Sequence, residues 1–172
     1  MRTREVAVSI LLAALYAGGV IALPGLSFEV MQVRFSDALL PLSMVFGMPA
    51  VVGLTVGTFI ANIFSPFGVV DLLGGTLTNL IATYLAWKMV RNFNFRGRWL
   101  FSAFIQVLLI TFIVGTYIQA FVKIPETPIL GFRLPGIVFN WLGVLTGSII
   151  SIIVIGYPVS KSVARYVRRE PY

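Results

Sequence analysis

Long stretches of this 172-residue chain carry no charge. Asp, Glu, Lys and Arg are absent from residues 38–70, 99–122 and 134–160. A helix needs roughly 20 apolar residues to cross about 30 Å of hydrocarbon, and each of these stretches is long enough. The pattern therefore predicts an integral membrane protein with several helices. Its few charged side chains are the first candidates for function, because ionisable groups at membrane depth are costly.

The composition agrees with a membrane location and excludes several chemistries. Charged residues make up 11% of the chain and the mean hydropathy is +0.96, whereas a soluble domain has about 25% charged residues. The absence of Cys and His excludes disulfides, thiolate metal sites and imidazole acid–base catalysis. No Gly-x-x-x-x-Gly-Lys-Ser/Thr loop for nucleotide phosphates is present. We expect no cofactor, no metal site and no catalysis by this chain alone.

The charge-free stretches predict an all-α fold, a compact bundle of six transmembrane helices forming one domain over residues 1–172. A single helix over 38–70 would reach about 50 Å, so we place a turn at Gly47-Met48-Pro49. The pass before this turn is too short to cross unaided, and it either begins nearer Val30 or is a tilted, partial helix. The predicted passes cover about residues 6–23, 35–47, 49–64, 70–89, 99–121 and 137–158.

The basic residues predict that both termini are cytoplasmic. With the N-terminus inside, six passes put most of the 13 Lys and Arg residues on the cytoplasmic side, in clusters near residues 2–4, 88–98 and 161–169. This is the bias that membrane proteins show. The net charge of +7 thus reflects membrane topology, and we expect no nucleic-acid partner. Most of the acidic residues then lie outside, including Asp37 and Asp71.

A polar site is predicted where several helices reach the external side. Arg34 and Asp37 are spaced i,i+3, so they either pair with each other or face a pocket. Asp71 either complements the dipole of the fourth helix or faces the same pocket. Amide and aromatic side chains fall at similar depth on other passes. The predicted binding residues are Phe28, Gln32, Arg34, Asp37, Asn62, Asp71, Asn79, Asn140 and Trp141.

Small residues recur at four-residue spacing along the first, third and sixth passes. Such stripes let helices approach closely in lipid, so each either packs inside the bundle or docks another protein. The stripes are Ala13 and Ala17, with Ala14 and Gly18 beside them; Gly53, Gly57 and Ala61; and Gly143, Gly147 and Ser151.

Three short segments resemble the QueT family, which is associated with uptake of queuosine precursors. They read Arg34-Phe35-Ser36-Asp37, Ala61-Asn62-Ile63-Phe64-Ser65-Pro66 and Gly68-Val69-Val70-Asp71. Asp37 stands where the family carries Glu. With six short passes and Ala13-x-x-x-Ala17, the chain is similar to the substrate-binding (S) component of an energy-coupling factor transporter.

The resemblance implies a subunit that captures a vitamin-like molecule with its external loops and outer helix ends. It also implies docking, through Ala13 and Ala17, onto a membrane coupling subunit that two cytoplasmic ATPases drive. ATP hydrolysis would then take place on those separate subunits.

The candidate residues suit a 7-deazaguanine. A guanine-like edge offers N1–H and an amine as donors and O6 as an acceptor, so Asp37 or Asp71 could accept both donors. The candidate donors to O6 are Gln32, Arg34, Asn62 and Asn79. The candidate rings for stacking on the base are Phe28 and Trp141.

Three other interpretations remain open. A self-sufficient secondary transporter would use Asp37 or Asp71 as a proton or ion site. A membrane enzyme or assembly factor acting on lipids would have to work without His or Cys, with its acids on the external side. An S component for a different flat, polar vitamin would satisfy the same donors and acceptors.

Overall fold

The computed structural model describes residues 2–23, 34–121, 127–129 and 132–167, and these are mostly helical. A 3₁₀ helix (Phe35–Leu42) runs directly into α2, and a π-helix (Ile149–Gly156) joins α6 to α7. The strands β1 (Thr127–Ile129) and β2 (Phe132–Leu134) pair in antiparallel fashion. The α-helices are α1 (Thr3–Ala22), α2 (Ser43–Phe46), α3 (Met48–Asn62), α4 (Gly68–Asn92), α5 (Arg98–Phe121), α6 (Gly136–Ser148) and α7 (Tyr157–Val167).

The observed helices follow the predicted segments closely. The described fold also contains the short β1–β2 hairpin, which was not predicted. Among the described residues, four helices are long and apolar enough to cross a membrane. They are Thr3–Ala22, Gly68–Asn92, Arg98–Phe121 and Gly136–Val167. The remaining two apolar segments, Phe35–Phe46 and Met48–Asn62, are shorter.

The predicted turn at Gly47–Pro49 is confirmed. Gly47 has a φ of +68°, which a residue with a side chain adopts only with strain. Its backbone N–H donates to the Ser43 carbonyl and closes α2. Pro49 lies in the first turn of α3, where its missing N–H has no intrahelical partner to lose. The apolar stretch is therefore split into two antiparallel helices.

The segment before this turn is mostly a 3₁₀ helix, which rises about 2.0 Å per residue. Residues 35–46 therefore extend about 22 Å, more than an α-helix of that length would reach. Pro41 lies within the 3₁₀ helix and cannot donate a backbone hydrogen bond, which disfavours a regular α-helix there. The segment still falls short of about 30 Å of hydrocarbon.

The bundle is built from neighbours in sequence. Helix α1 packs on α3, α3 on α4, α4 on α5, and α5 on α6. The 3₁₀ helix lies between α1 and the π-helix and contacts both. This position puts Asp37 inside the bundle, facing helices from both halves of the chain.

The outer surface of the bundle is strongly apolar. Ile10, Leu73 and Val154 are mostly exposed, each on a different helix. Contiguous exposed apolar surface is rare on soluble monomers and is what lipid contact requires. Arg34, Asp37 and Asp71 lie in the interior instead, as expected for a membrane protein with an internal polar site.

The glycines of α3 pack against α1. A Cβ on Gly57 would lie 2.8 Å from the Ala13 carbonyl oxygen and 2.9 Å from Tyr16 Cβ. Small residues here let the two backbones approach closely. For this stripe, the interpretation as internal packing is the one that holds.

Candidate functional site

Three charged side chains are buried in the part of the chain that the structure describes. They are Arg34, Asp37 and Asp71, exposed by 7%, 5% and 1% respectively. Arg34 precedes the 3₁₀ helix and Asp37 lies in its first turn, while Asp71 lies in the first turn of α4. Buried charges are costly unless they are paired and hydrogen-bonded. Their surroundings therefore indicate what this site is for.

Asp71 is held from three directions. The Tyr117 hydroxyl of α5 donates to Asp71 Oδ1 over 2.5 Å. The Arg34 guanidinium lies 3.5 Å from Asp71 Oδ2. Asn62, the last residue of α3, donates from Nδ2 to the Asp71 backbone carbonyl over 2.9 Å. This carboxylate therefore does more than complement a helix dipole.

Asp37 belongs to a second, adjoining cluster. The Tyr16 hydroxyl of α1 donates to Asp37 Oδ1 over 2.6 Å. Asn79 Nδ2 of α4 donates to the Tyr16 oxygen over 2.8 Å and to Thr58 Oγ1 of α3 over 2.9 Å. Four helical segments meet in this network, each through one side chain.

A small cavity joins the two clusters. Its free volume is about 10 Å³, which is room for about one water molecule. One side is polar and the other is an aliphatic wall from α5 and α6. The lining residues are Arg34, Asp37, Gly75, Asn79, Ile110, Val114, Val144 and Ser148.

Gly75 allows the two clusters to lie side by side. A Cβ at this position would lie 2.6 Å from Asn62 Nδ2 and 3.0 Å from Asp71 Oδ1. Any side chain here would therefore push into the polar groups. The glycine is a functional candidate that the sequence analysis did not single out.

Three of the predicted site residues present buried oxygens with no hydrogen-bond partner among the described residues. These atoms are Asn62 Oδ1, Asp71 Oδ2 and Asn140 Oδ1. Asp71 Oδ2 has the Arg34 guanidinium nearby, and Asn140 Nδ2 donates to Gln119 Oε1 on α5. A buried acceptor without a donor costs free energy. Asn62 Oδ1 and Asn140 Oδ1 are therefore acceptors with no donor among the described residues.

The structure brings together five of the nine predicted binding residues, namely Arg34, Asp37, Asn62, Asp71 and Asn79. Asn140 is buried at the α5–α6 contact. Phe28 and Gln32 lie outside the described residues.

The prediction that Trp141 stacks on a ligand is not supported by its position. Its indole Nε1 donates to Thr116 over 3.1 Å, and its ring packs edge-on against Phe112 with the centroids 5.3 Å apart. Gly115 lets the indole lie directly on α5. Phe112 is exposed, so this ring packs at the periphery of the bundle and does not line the cavity.

The prediction that Ala13 and Ala17 face a coupling subunit stays a prediction, and in the isolated chain both residues lie toward α3. Ala13 packs against Gly57 of α3, and Ala17 is only 7% exposed. Ala14 and Gly18 are adjoining small residues of α1 that face outward, and a Cβ on Gly18 would meet no atom within 4 Å. The inward face is fixed by close packing on the α3 glycines.

Sequence reasoning missed Tyr16, Thr58 and Tyr117. Each lies within a predicted membrane segment, where a hydroxyl is easily taken for part of an apolar face. A buried tyrosine hydroxyl usually has a hydrogen-bond partner. Each of two apolar helices contains a tyrosine, and the chain has two carboxylates at similar depth. This pattern could have predicted the two tyrosine–carboxylate pairs.

Comparison with sequence families now identifies the class of protein. A model of the family described as QueT transporter matches residues 6–165. The chain belongs to the QueT transporter family. Comparison with curated proteins and with solved structures gave no significant match. Family membership and the apolar helices place the protein in a membrane as a transporter rather than an enzyme.

The described residues contain no group of three or more His, Cys, Asp or Glu side chains that could hold a metal ion. The two carboxylates are instead occupied by tyrosine hydroxyls and a guanidinium.

Proposed function

We propose that this QueT transporter is the substrate-capture subunit of an energy-coupling factor transporter and that it binds a 7-deazaguanine queuosine precursor. The observation that carries the proposal is the pair of buried carboxylates beside one guanidinium, with the neighbouring Asn62 Oδ1 lacking a hydrogen-bond partner among the described residues. A guanine-like edge has adjacent N–H donors that match such acceptors. Arg34 or Asn79 could donate to O6.

The net charge of the buried site favours one of the 7-deazaguanines as the ligand. One guanidinium against two carboxylates leaves one negative charge uncompensated among the buried residues described. A ligand with a single positive charge would balance it, because buried charges require a partner. The 7-aminomethyl form carries such a charge, whereas the 7-cyano form is neutral. We therefore expect the aminomethyl form to bind more tightly.

The cavity must widen to admit such a ligand, since its present volume holds about one water molecule. The 3₁₀ helix is suited to this step. It carries Asp37 and follows directly on residues 24–33, which include the predicted ligand contacts Phe28 and Gln32. A small displacement of this helix would separate Asp37 from the aliphatic wall.

The orientation of the site follows from the aromatic and basic residues at the opposite end of the bundle. The Lys88 ammonium lies 5.1 Å from the Trp87 ring, and the Lys161 ammonium lies 4.9 Å from the Trp99 ring. Tryptophan beside basic residues is typical of the cytoplasmic membrane interface. On the six-pass topology with both termini cytoplasmic, the charged site then lies toward the external side.

The proposed partners follow from the same topology. The outward small-residue face of α1, at Ala14 and Gly18, is available to a membrane coupling subunit. Two ATPase subunits would supply the energy.

Binding to the detergent-purified chain tests the proposal. Thermal shift and calorimetry should use 7-aminomethyl-7-deazaguanine, 7-cyano-7-deazaguanine and queuine, with guanine, riboflavin, thiamine and biotin as comparators. Submicromolar binding of a deazaguanine supports the proposal. A response only to another vitamin would keep the S-component function and reject this ligand, and no response to any compound would contradict the proposal.

The small cavity also favours a second candidate. Two buried carboxylates around a space for about one water molecule fit a proton or ion site as well as a closed substrate site. On this alternative the chain would be a self-sufficient secondary transporter. Uptake into proteoliposomes that contain this chain alone, dependent on an imposed proton or sodium gradient, would favour it.

A further inference from the structure

We propose that Tyr16 links the charged site to the outward face of α1, so that ligand binding at Asp37 is communicated to the surface that meets the coupling subunit. This inference rests on the proposed function. Tyr16 is fully buried and lies on the opposite side of α1 from Ala14 and Gly18, which are exposed. Its position makes it a positioning residue for Asp37.

The polar attachments of α1 are few. Among the described residues, its side chains form hydrogen bonds to other helical segments only through Ser9 and Tyr16. Ser9 donates to the Pro49 carbonyl over 2.7 Å, far from the charged site. At the site end, Tyr16 alone joins α1 to the 3₁₀ helix and to α4 by such bonds.

The hydrogen bonds around the Tyr16 hydroxyl have defined donors and acceptors. The Asn79 amide donates to the Tyr16 oxygen, so the tyrosine proton is available for Asp37 Oδ1. The same Asn79 nitrogen also donates to Thr58 Oγ1. A ligand that takes up an oxygen of Asp37 therefore changes the bond that holds Tyr16.

The packing of α1 carries such a change to the whole helix. A Cβ on Gly57 would lie 2.9 Å from Tyr16 Cβ and 3.0 Å from Ala13 Cα, so α1 and α3 are in close contact around the tyrosine. Because α1 and α3 pack closely around the tyrosine, we expect a displaced Tyr16 to shift α1 against α3. The outward face of α1 moves with it. Two sites are coupled when a ligand at one favours one of two arrangements of the element between them.

The experiment uses single substitutions of one hydroxyl. Tyr16→Phe removes the link, and Tyr117→Phe is the matched control, because Tyr117 also donates to a site carboxylate but lies on α5. The chain has no cysteine, so Gly18→Cys gives a unique position for a spin label on the outward face of α1. A label at Ser162→Cys, exposed on α7, reports changes elsewhere. The ligand is 7-aminomethyl-7-deazaguanine, added to saturation to the full-length chain in lipid nanodiscs.

We expect both phenylalanine variants to bind the ligand about tenfold more weakly, since each leaves a site carboxylate without the phenol that orients it. The ligand should change label mobility at position 18 but not at position 162. Tyr16→Phe should abolish the change at position 18, and Tyr117→Phe should retain it.

A ligand response at position 18 that survives in Tyr16→Phe overturns the inference, as does one lost equally in both variants. No response at position 18 in a parent protein that binds the ligand also overturns it, while the binding isotherm keeps the proposed function intact. No binding by the parent rejects the proposed function itself. If Tyr16→Phe does not fold, hydrogen exchange of the parent decides: ligand-dependent protection of amides around residue 16 supports the link, and unchanged exchange refutes it.

Discussion

Tyr117 donates a hydrogen bond to Asp71 across 46 positions of sequence, from α5 to the first turn of α4. Tyr16 does the same for Asp37 from α1. Each buried carboxylate is thus held by one phenol from a neighbouring helix, and the Arg34 guanidinium lies beside Asp71. A paired set of this kind orients two acids inside an apolar bundle.

Asp71→Asn should weaken binding of 7-aminomethyl-7-deazaguanine by about 30-fold or more, because it removes the negative charge that the cationic ligand would balance, and loss of one partner of a buried charge pair costs about 2–5 kcal/mol of binding free energy. The variant should fold, since the amide oxygen can still accept from Tyr117. Calorimetry on the purified chain measures the effect. The neutral 7-cyano compound is the comparator, and its affinity should fall less. An equal loss for both compounds would refute the charge argument.

Gly75→Ala should reduce ligand affinity while leaving the helix intact. Alanine favours a helix by about 1 kcal/mol over glycine, but its Cβ would lie 2.6 Å from Asn62 Nδ2 and displace the polar groups. Gly18→Ala is the control, because its Cβ would meet no atom within 4 Å. Thermal shift with and without ligand separates the two effects. Full affinity in Gly75→Ala would show that this region does not bind ligand.

The sequence was sufficient to predict where the helices lie. Charge-free stretches and the break at Gly47–Pro49 set their limits, because hydrocarbon excludes charge and glycine permits positive φ. The 3₁₀ and π-helices could not be predicted in this way. In a segment such as Ile149–Gly156 nearly every residue is apolar, so periodicity cannot distinguish one helix type from another.

The charged residues of the site were predicted from the sequence, but the side chains that hold them in place were not. Arg34, Asp37 and Asp71 stood out because charge is rare in this chain. Tyr16 lies 21 residues from Asp37, and nothing in the local sequence shows which face of α1 turns inward. That choice depends on Gly53 and Gly57 of α3, a contact between helices that the sequence order alone does not reveal.

Gly57→Ala should destabilise the protein by about 1–3 kcal/mol, the usual cost of overpacking a close contact. The added Cβ would lie 2.8 Å from a backbone oxygen of α1, which cannot rotate away. Gly18→Ala is the control, since its Cβ would meet nothing within 4 Å, and it should be neutral or slightly stabilising. Thermal unfolding in detergent compares the two. Equal midpoints would show that α1 and α3 are not closely packed.

Gly18→Leu should prevent association with a coupling subunit while leaving ligand affinity unchanged. The added side chain projects from the outward face of α1. It would therefore lie between α1 and a partner docked on this face. Ala17→Leu provides the contrast, because Ala17 is buried, and this variant should lose thermal stability in the isolated subunit. Co-purification with a co-expressed coupling subunit and its ATPases measures association, and calorimetry on the isolated chain measures ligand binding. If Gly18→Leu co-purifies normally, the docking surface lies on another part of the bundle.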